Sequence, residues 1–279
     1  MNADIAILLC VYNSADYLPD LLDSLYTQTC QDFTVYVHDD GSTDETLDIL
    51  EKYRQRYGRL QLDHDPQPGR QAMGSFMWLL EQHPGHQYYM FCDHDDVWLP
   101  EKISLTLTRM RVCEKKHPGS PVAVNTDLCV VDNELHVIHP SFWKYNGIDR
   151  KLIHNFNYLT VCNAFTGCTM MINSQARALS LPLGEKALMH DKWIALKVAD
   201  HPDGVLGYVP QPTILYRQHG DNEVGAQSVG AEYYLRRLYH LRDTWQMNRR
   251  TLAMSREIRP FSTVKYLYYK LMYFIRKRK

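Results

Sequence analysis

The sequence predicts an α/β fold in which a mainly parallel central sheet carries helices on both faces. Three observations predict it. Continuous apolar runs of buried-strand type recur along the chain, helical periodicities separate them, and acidic clusters fall where strands should end. Ligands of such sheets bind at the carboxyl ends of strands, so the acidic clusters mark the candidate site.

The elements follow in order. Ile5 to Val11 is an uninterrupted apolar run, and Leu18, Leu21, Leu22 and Leu25 then repeat at helical spacing. Phe33 to Val37 is a second strand. It stops at Asp39-Asp40-Gly41, after which Ser42-x-x-Glu45 reads as a capping box opening a helix through Leu47, Leu50 and Tyr53. Gly69 to Gln82 predicts a helix, Tyr88 to Cys92 a strand, Glu101 to Cys113 a helix and Val122 to Val131 a strand. Residues 132–165, rich in aromatic, Asn and His residues, read as loops over a cleft. Thr166 to Ile172 is expected to be a strand, Met189-His190-Asp191-Lys192-Trp193 to begin a helix, and Thr213 to Tyr216 to form a short strand. Beyond Ala231 the pattern is helical with a break at Pro260.

Composition bounds the function. A chain of 279 residues with 45% apolar residues builds a sizeable core in one large domain or two small ones. The formal charge of −1 hides an asymmetry, because residues 256–279 hold eight Lys or Arg against one Glu. Seven cysteines without a C-x-x-C pair predict free thiols in a reducing cytoplasm and no structural zinc. Residues 1–16 lack the pattern of a signal peptide, and no apolar stretch approaches the roughly 20 residues of a spanning helix.

The most informative segment is Phe91-Cys92-Asp93-His94-Asp95-Asp96-Val97-Trp98-Leu99-Pro100. If the chain stays extended, Asp93 and Asp95 point the same way and suit a hard divalent cation shared with phosphate. An EF-hand loop is excluded, since Trp98 and Ser104 stand where its Gly and Glu belong. Capping of a helix near Pro100 is the plainer alternative, and it explains one carboxylate of three. Gly69-x-x-x-x-Gly74-Ser75 lacks the Lys of a phosphate-binding loop, and no G-x-G-x-x-G follows a strand. His38-Asp39-Asp40-Gly41-Ser42 approaches an aspartyl-phosphate phosphatase motif, with His38 where the nucleophile belongs; this is the rival enzyme class. A non-catalytic binding protein is a second alternative. Basic residues form no aromatic-interleaved surface before the tail, which argues against nucleic acid.

Taken together, Ile7-Leu8-Leu9-Cys10-Val11-Tyr12-Asn13, Asp39-Asp40-Gly41-Ser42-Thr43-Asp44 and Asp93-His94-Asp95-Asp96-Val97-Trp98 resemble family 2 of the inverting glycosyltransferases. The resemblance covers residues 4 to about 225 and is nearest to a bacterial rhamnosyltransferase-like subgroup with D-Q-D-D-V-W and Y-R-Q-H-G-N-N motifs. This chain departs with His94 for Gln and Asp221 for Asn. The resemblance implies a GT-A fold, Rossmann-like, over residues 1–225. Residues 1–110 would form the nucleotide-sugar half and 111–225 the acceptor half, followed by a helical, basic extension over 226–279.

The resemblance also implies roles. Cys10, Val11, Tyr12, Asn13, Asp39 and Asp40 would hold the nucleotide, with Asp40 accepting the N3 proton of uracil or thymine, and Arg70 matches the position of a basic residue near the nucleotide. Strand-end packing for Tyr12, turn formation for Asp39 or Asp40, and a solvated helix-start charge for Arg70 are the alternatives. Asp93, His94 and Asp95 correspond to the D-x-D motif, with Asp93, Asp95 and His219 as ligands of Mn²⁺ or Mg²⁺. Asp191 occupies the position of the catalytic base, although it could also cap its helix. Lys192 and Trp193 would line the acceptor cleft, with Trp193 equally suited to the core. The implied donor is a dTDP- or UDP-sugar, L-rhamnose among the candidates, and the acceptor a surface polysaccharide or lipid-linked oligosaccharide.

The tail from Val264 to Lys279 interleaves aromatics with Lys and Arg over a helical pattern. It reads as an interfacial helix giving residues 260–279 a peripheral contact with the cytoplasmic face of the inner membrane. Packing on the body or on a second subunit is the alternative.

Overall fold

The computed structural model describes residues 4–67, 69–152, 154–219 and 241–276. Its strands are β1 (Ile5–Val11), β2 (Phe33–Asp39), β3 (Leu60–Asp63), β4 (Tyr88–Asp93), β5 (Val97–Trp98), β6 (Val122–Val131), β7 (Val137–His139), β8 (Met171–Asn173) and β9 (Val205–Arg217). They form one sheet in the order β3-β2-β1-β4-β8-β6-β9-β5, with β7 on β6. Pairing is parallel from β3 through β4 and between β6 and β9; β8, β7 and β5 pair antiparallel. The helices are α1 (Leu18–Tyr26), α2 (Thr46–Tyr57), α3 (Gln71–Gln82), α4 (Lys102–Lys116), α5 (Phe142–Tyr145), α6 (Phe156–Val161), α7 (Ser174–Ser180), α8 (His190–Asp200), α9 (Leu241–Ile258) and α10 (Thr263–Arg276).

Strand alternation explains the layers. Every residue of β1 is buried, and its side chains divide between two cores. Ile5, Ile7, Leu9 and Val11 join leucines of α1 with Ile103, Leu107 and Met110 of α4. Ala6, Leu8 and Cys10 join Phe76, Leu79 and Leu80 of α3 with Trp193 and Ile194 of α8. β4 divides the same way, with Met90 and Cys92 in one core and Tyr89 and Phe91 in the other. A strand covered on both faces has no polar alternation, which is why β1 and β4 read as continuous apolar runs. Each buried aliphatic side chain contributes roughly 1.5–3 kcal/mol to this arrangement.

Register brings the candidate residues to one edge. Val11 lies opposite Asp39, and Cys10 lies opposite Asp93. The three parallel strands therefore deliver Tyr12, Asp40 and Asp93 to the same end of the sheet.

Several local expectations are corrected. The capping box does not form: Ser42 Oγ accepts the Asn13 N–H at 2.9 Å, and Asp44 Oδ1 takes the Thr46 N–H at 3.1 Å as α2 begins. The acidic segment leads into β5 and not directly into a helix, because Val97 and Trp98 pair with Leu215 and Ile214 of β9. Residues 94–95 form a turn, so the extended alternation assumed for Asp93 and Asp95 ends at Asp93. The strand expected over 166–172 is a 3₁₀ turn at Gly167–Thr169 followed by β8. The short strand at 213–216 is the end of the thirteen-residue β9. Pro210 and Pro212 obscure it in sequence, and they fit because the β6 register shifts between Thr126 and Asp127, opposite them. Short β3, half exposed at the sheet edge, and α7 have too few residues to show a period.

The break at Pro260 separates α9 from α10 as expected. Tyr266 Oη of α10 donates to Asn248 Oδ1 of α9 at 3.1 Å, and Tyr269 meets Tyr158 of α6 edge-on at 5.0 Å. Residues 226–240 and 277–279 of the predicted extension lie outside the described residues. All seven cysteines are free. Among the described residues no helix is long and apolar enough to cross a membrane.

Candidate active site

The loops after β1 and β2 are laced together before any ligand is considered. Asn13 adopts a left-handed backbone (φ 45°), and its Oδ1 accepts the Thr43 N–H at 2.9 Å. Tyr12 stands 56% exposed beside it, free of the strand-end packing that would have occupied its ring. Asp39 accepts the N–H groups of Gly41 and Ser42, which is the turn-forming role. Asp40 reaches further. Its Oδ1 accepts from Gly69 N and Arg70 N, each at 2.8 Å, and its Oδ2 from Gln71 N at 3.0 Å. Gly69 and Gln71 both have positive φ there, the strained turn that lets three consecutive N–H groups converge on one carboxylate.

Arg70 is tied back toward the sheet. Its guanidinium pairs with Asp65 and lies 5.7 Å from the Trp78 ring centroid, while Asp65 also meets the buried His38 at 3.0 Å. The Arg70 guanidinium beside Asp65 holds that carboxyl well below the usual carboxylate range. This exceeds a solvated helix-start charge. His38, buried and bonded to Asp65, sits behind Asp39 and Asp40 and offers no phosphatase nucleophile.

The acidic turn after β4 has a different character. Asp95 and Asp96 are buried, and one ligand atom each of Asp93, Asp96 and Cys168 lie within 4.8 Å of one another. Burial, then the charges of Asp95 and Asp93, push the Asp96 carboxyl well above its ordinary value. Burial, then Asp96 and Asp93, likewise push up the Cys168 thiol. Lys102 is fully buried with its Nζ 4.4 Å from the Trp98 ring centroid, and burial lowers it to about 8. His94 hydrogen-bonds the Cys10 backbone, which joins the β4 turn to β1, and burial lowers its pKa.

Asp95 meets His219, Oδ2 to Nε2, at 2.8 Å. Two residues far apart in sequence, both predicted as ligands, are thus in contact. The imidazole is held on its other side by Tyr17, stacked at 4.8 Å and 23°. Arg217 completes the support. It is 4% exposed, donates through Nε to Asp95 O at 3.0 Å and through its fork to Asp20 at 2.9 Å, and lies 5.0 Å from the Tyr17 ring centroid. Tyr17 and Asp20 carried no motif signal; only their place at the start of α1, above the strand ends, could have suggested them. Asp93, Asp95 and Asp96 supply the oxygen donors a hard divalent ion needs, and His219 a borderline nitrogen. The protonated Cys168 thiol does not suit such an ion.

Asp191 lies in the first turn of α8, 4% exposed, and is not its N-cap, which is Met189. Its Oδ2 accepts from the Asn163 amide at 3.1 Å and its Oδ1 from the Lys192 N–H. Asn163 is a further residue that sequence reading passed over. His190, beside it, is buried between Phe76 (4.5 Å) and Phe91 (4.8 Å), and burial pushes its pKa down to about 4. A Cβ on Gly167 would meet His190 Nε2 at 2.6 Å, so only glycine fits there. The 167–169 turn therefore bridges the two halves of the site, with Gly167 under His190 and Cys168 beside Asp93 and Asp96.

Lys192 points its Nζ to Thr160 O at 3.1 Å. Trp193 is 3% exposed, donates its indole N–H to Ser180 O at 2.9 Å and packs against Gly184. It is a core residue and presents no face to an acceptor, which corrects the cleft-lining role.

A mainly parallel sheet that gathers an exposed aromatic, an N–H-bound carboxylate and a buried acidic turn at one edge is the arrangement of the GT-A class of glycosyltransferases. Comparison with known proteins agrees: the sequence model of Glycosyl transferase family 2 matches residues 6–173, and the chain belongs to that family. A dTDP-rhamnosyl transferase of Shigella flexneri, RfbG, is 26% identical over 253 residues, covering 85% of this chain and 80% of the relative. Among solved structures, TarS 1-349 of S. aureus in complex with UDP-GlcNAc matches with a TM-score of 0.62 at 17% identity, over 98% of this chain and 72% of that one. Mannosyltransferase PcManGT of Pyrobaculum calidifontis, in complex with GDP-Man and Mn2+, matches with a TM-score of 0.57 at 14% identity, over 98% and 70%. The structural likenesses show the fold. The chain is a glycosyltransferase.

Proposed function

We propose that this glycosyltransferase moves a sugar, L-rhamnose the leading candidate, from a dTDP- or UDP-linked donor to a surface-polysaccharide or lipid-linked oligosaccharide acceptor, with inversion and with a divalent cation. The likeness to a dTDP-rhamnosyl transferase across 85% of the chain supports the donor, and the Asp95–His219 contact supports the metal. In this reading residues 1–110 bind the donor and 111–225 the acceptor.

Tyr12 offers an exposed ring for the base. Asp40 Oδ2 accepts a single N–H among the described residues, which leaves it capacity for the N3 proton of uracil or thymine. Asn13 and Asp39 shape that pocket through the turn they build, and Cys10 and Val11 border it with backbone. Arg70, anchored on Asp65, lies beside the diphosphate. Asp93, Asp95 and His219 would hold Mn²⁺ or Mg²⁺, with His94 positioning their turn. When bound, the ion supplies charge neutralisation for the departing nucleoside diphosphate.

Asp191 is the base. Its carboxylate takes the proton of the acceptor hydroxyl as that oxygen bonds to the anomeric carbon, and the bond from that carbon to the diphosphate oxygen breaks on the opposite face. The Asn163 amide orients the accepting oxygens, and Lys192 lies at the acceptor side of the same turn.

The test is transfer from dTDP-L-rhamnose and from UDP-sugars to a lipid-linked acceptor, with Mn²⁺, with Mg²⁺ and with chelator. Asp191→Asn should lower turnover by about 10³-fold while calorimetric donor binding stays within about twofold, the signature of a lost general base. Wild-type turnover in that variant would sink the assignment of the base.

A further inference from the structure

The last helix carries a second surface that the active site does not use. Its spacing sorts the side chains of α10 into two faces. Tyr266 and Tyr269 lie on the inward one, with Tyr266 only 4% exposed against α9 and Tyr269 against α6. The outward face recurs at intervals of three and four: Val264 is 78% exposed, Leu267 57%, Tyr268 56%, Leu271 58% and Ile275 45%. Five apolar or aromatic side chains thus line up over about 16 Å of one helix, counted at 1.5 Å per residue. A contiguous apolar stripe held open to water calls for an occupant.

Charge says what the occupant is. Lys265 and Arg276 flank the stripe and are exposed, and the sequence continues with Lys277, Arg278 and Lys279. A second copy laid on the same face would set these cations against their own kind. An anionic bilayer surface would receive both features, with apolar side chains below the headgroups, Tyr268 at headgroup depth and the basic residues against lipid phosphate. Each Lys or Arg near such a surface strengthens binding roughly fivefold. The helix cannot cross the bilayer, so it lies in the plane of the interface.

We propose that the outward face of α10 is a docking surface for anionic phospholipid membranes. It places the enzyme beside a lipid-linked acceptor, and that consequence rests on the function proposed above; the docking itself does not.

Co-sedimentation of the full chain with phosphatidylcholine vesicles, with and without about one-third phosphatidylglycerol, tests it without any sugar transfer, so either reading can fail alone. The wild type should sediment with the anionic vesicles, lose at least about tenfold in partitioning between 0.1 and 0.5 M salt, and leave pure phosphatidylcholine largely unbound. Leu267→Glu with Leu271→Glu should lower binding by more than about tenfold. Both side chains are exposed, and an unchanged melting curve verifies the fold. Lys277→Gln, Arg278→Gln and Lys279→Gln together should lower binding to anionic vesicles alone. The proposal is overturned if the wild type stays in the supernatant at every composition, or if the double Glu variant binds as the wild type does. It is also overturned if ultracentrifugation finds a wild-type dimer that the double variant dissolves while neither binds vesicles.

Discussion

Two acidic clusters end neighbouring parts of the same sheet, Asp39-Asp40 after β2 and Asp93 to Asp96 after β4, and they are built on opposite principles. The first is half exposed and well supplied: Gly41 and Ser42 beside it, and Gly69, Arg70 and Gln71 from the start of α3, deliver backbone N–H groups to its two carboxylates. The second is largely buried and crowded with like charge. Asp96 is fully buried with one oxygen lacking any hydrogen bond among the described residues, and burial, then its neighbours' charges, push its carboxyl well above the ordinary value. Carboxylates satisfied by N–H groups shape a pocket. Carboxylates crowded together in a buried turn would gain from a cation, since an added positive charge lowers the repulsion that burial has magnified.

The comparison breaks most visibly at Asp95. Asp95→Ala should cut transfer by at least about 100-fold and abolish its dependence on Mn²⁺ or Mg²⁺, as loss of a metal ligand does. Unfolding stability should change by no more than about 1 kcal/mol, because the lost contact with His219 is offset by relief of the repulsion that Asp95 exerts on the Asp96 carboxyl. Titration of activity against metal, beside a urea melt, separates the two readouts. Retained metal dependence would assign Asp95 a merely structural part.

Asp40→Ala reverses the pattern. Three N–H groups lose their acceptor, but Gly69 and Gln71 are exposed, so water takes over much of the loss and stability should fall by about 1 kcal/mol. The donor KM should rise about tenfold with kcat little changed, the mark of lost ground-state binding. A kcat effect as large as that of Asp95→Ala would erase the distinction between the clusters.

The unequal construction also decides what could be read in advance. β1 and β4 were legible because strands covered on both faces are continuously apolar, and the edge where ligands bind followed from their order. The acidic turn at the end of β4 and the helix beginning at His190 and Asp191 were legible from the local pattern. What the chain does with distant residues was not. Tyr17, Asp20 and Arg217 meet only when β9 returns beside the β4 turn, and Asn163 reaches Asp191 from an irregular loop. Trp193 misled because an aromatic next to the candidate base suits a sugar platform as well as a core, and only its burial decides. The Ser42 capping box failed for a related reason, since Asn13 competes for the same hydroxyl.

A third buried ionisable group extends the comparison to the base. His190 is buried like Asp96, and neither of its ring nitrogens has a hydrogen-bond partner among the described residues, yet it is flanked by rings and by one carboxylate neighbour, Asp191. Its folded pKa of about 4 lies below the ordinary 6.5. Its stabilising contribution is therefore fully present above pH 6.5 and is lost as the pH falls toward 4, where the unfolded chain takes up the proton first. Between pH 7 and pH 5 the wild type should lose about 2 kcal/mol through this group. His190→Leu should flatten that slope in urea melts; an unaltered slope would place the sensitivity elsewhere.

The smallest effect tests how the second cluster is kept ready. Tyr17 touches no proposed ligand atom, but its ring stacks on His219 and lies beside the guanidinium of Arg217, which itself holds the Asp95 backbone. Removing the ring should let the imidazole leave Asp95 without unfolding the sheet. Tyr17→Ala is expected to raise the metal concentration needed for half-maximal activity about fivefold, with kcat at saturating metal nearly intact. Tyr17→Phe keeps the stacking face and should restore the wild-type value. A general loss of structure would lower kcat and the melting temperature together, and Phe would rescue both. A shift confined to metal affinity shows instead that stacking on His219, and not the tyrosine hydroxyl or the bulk of α1, holds the imidazole against Asp95.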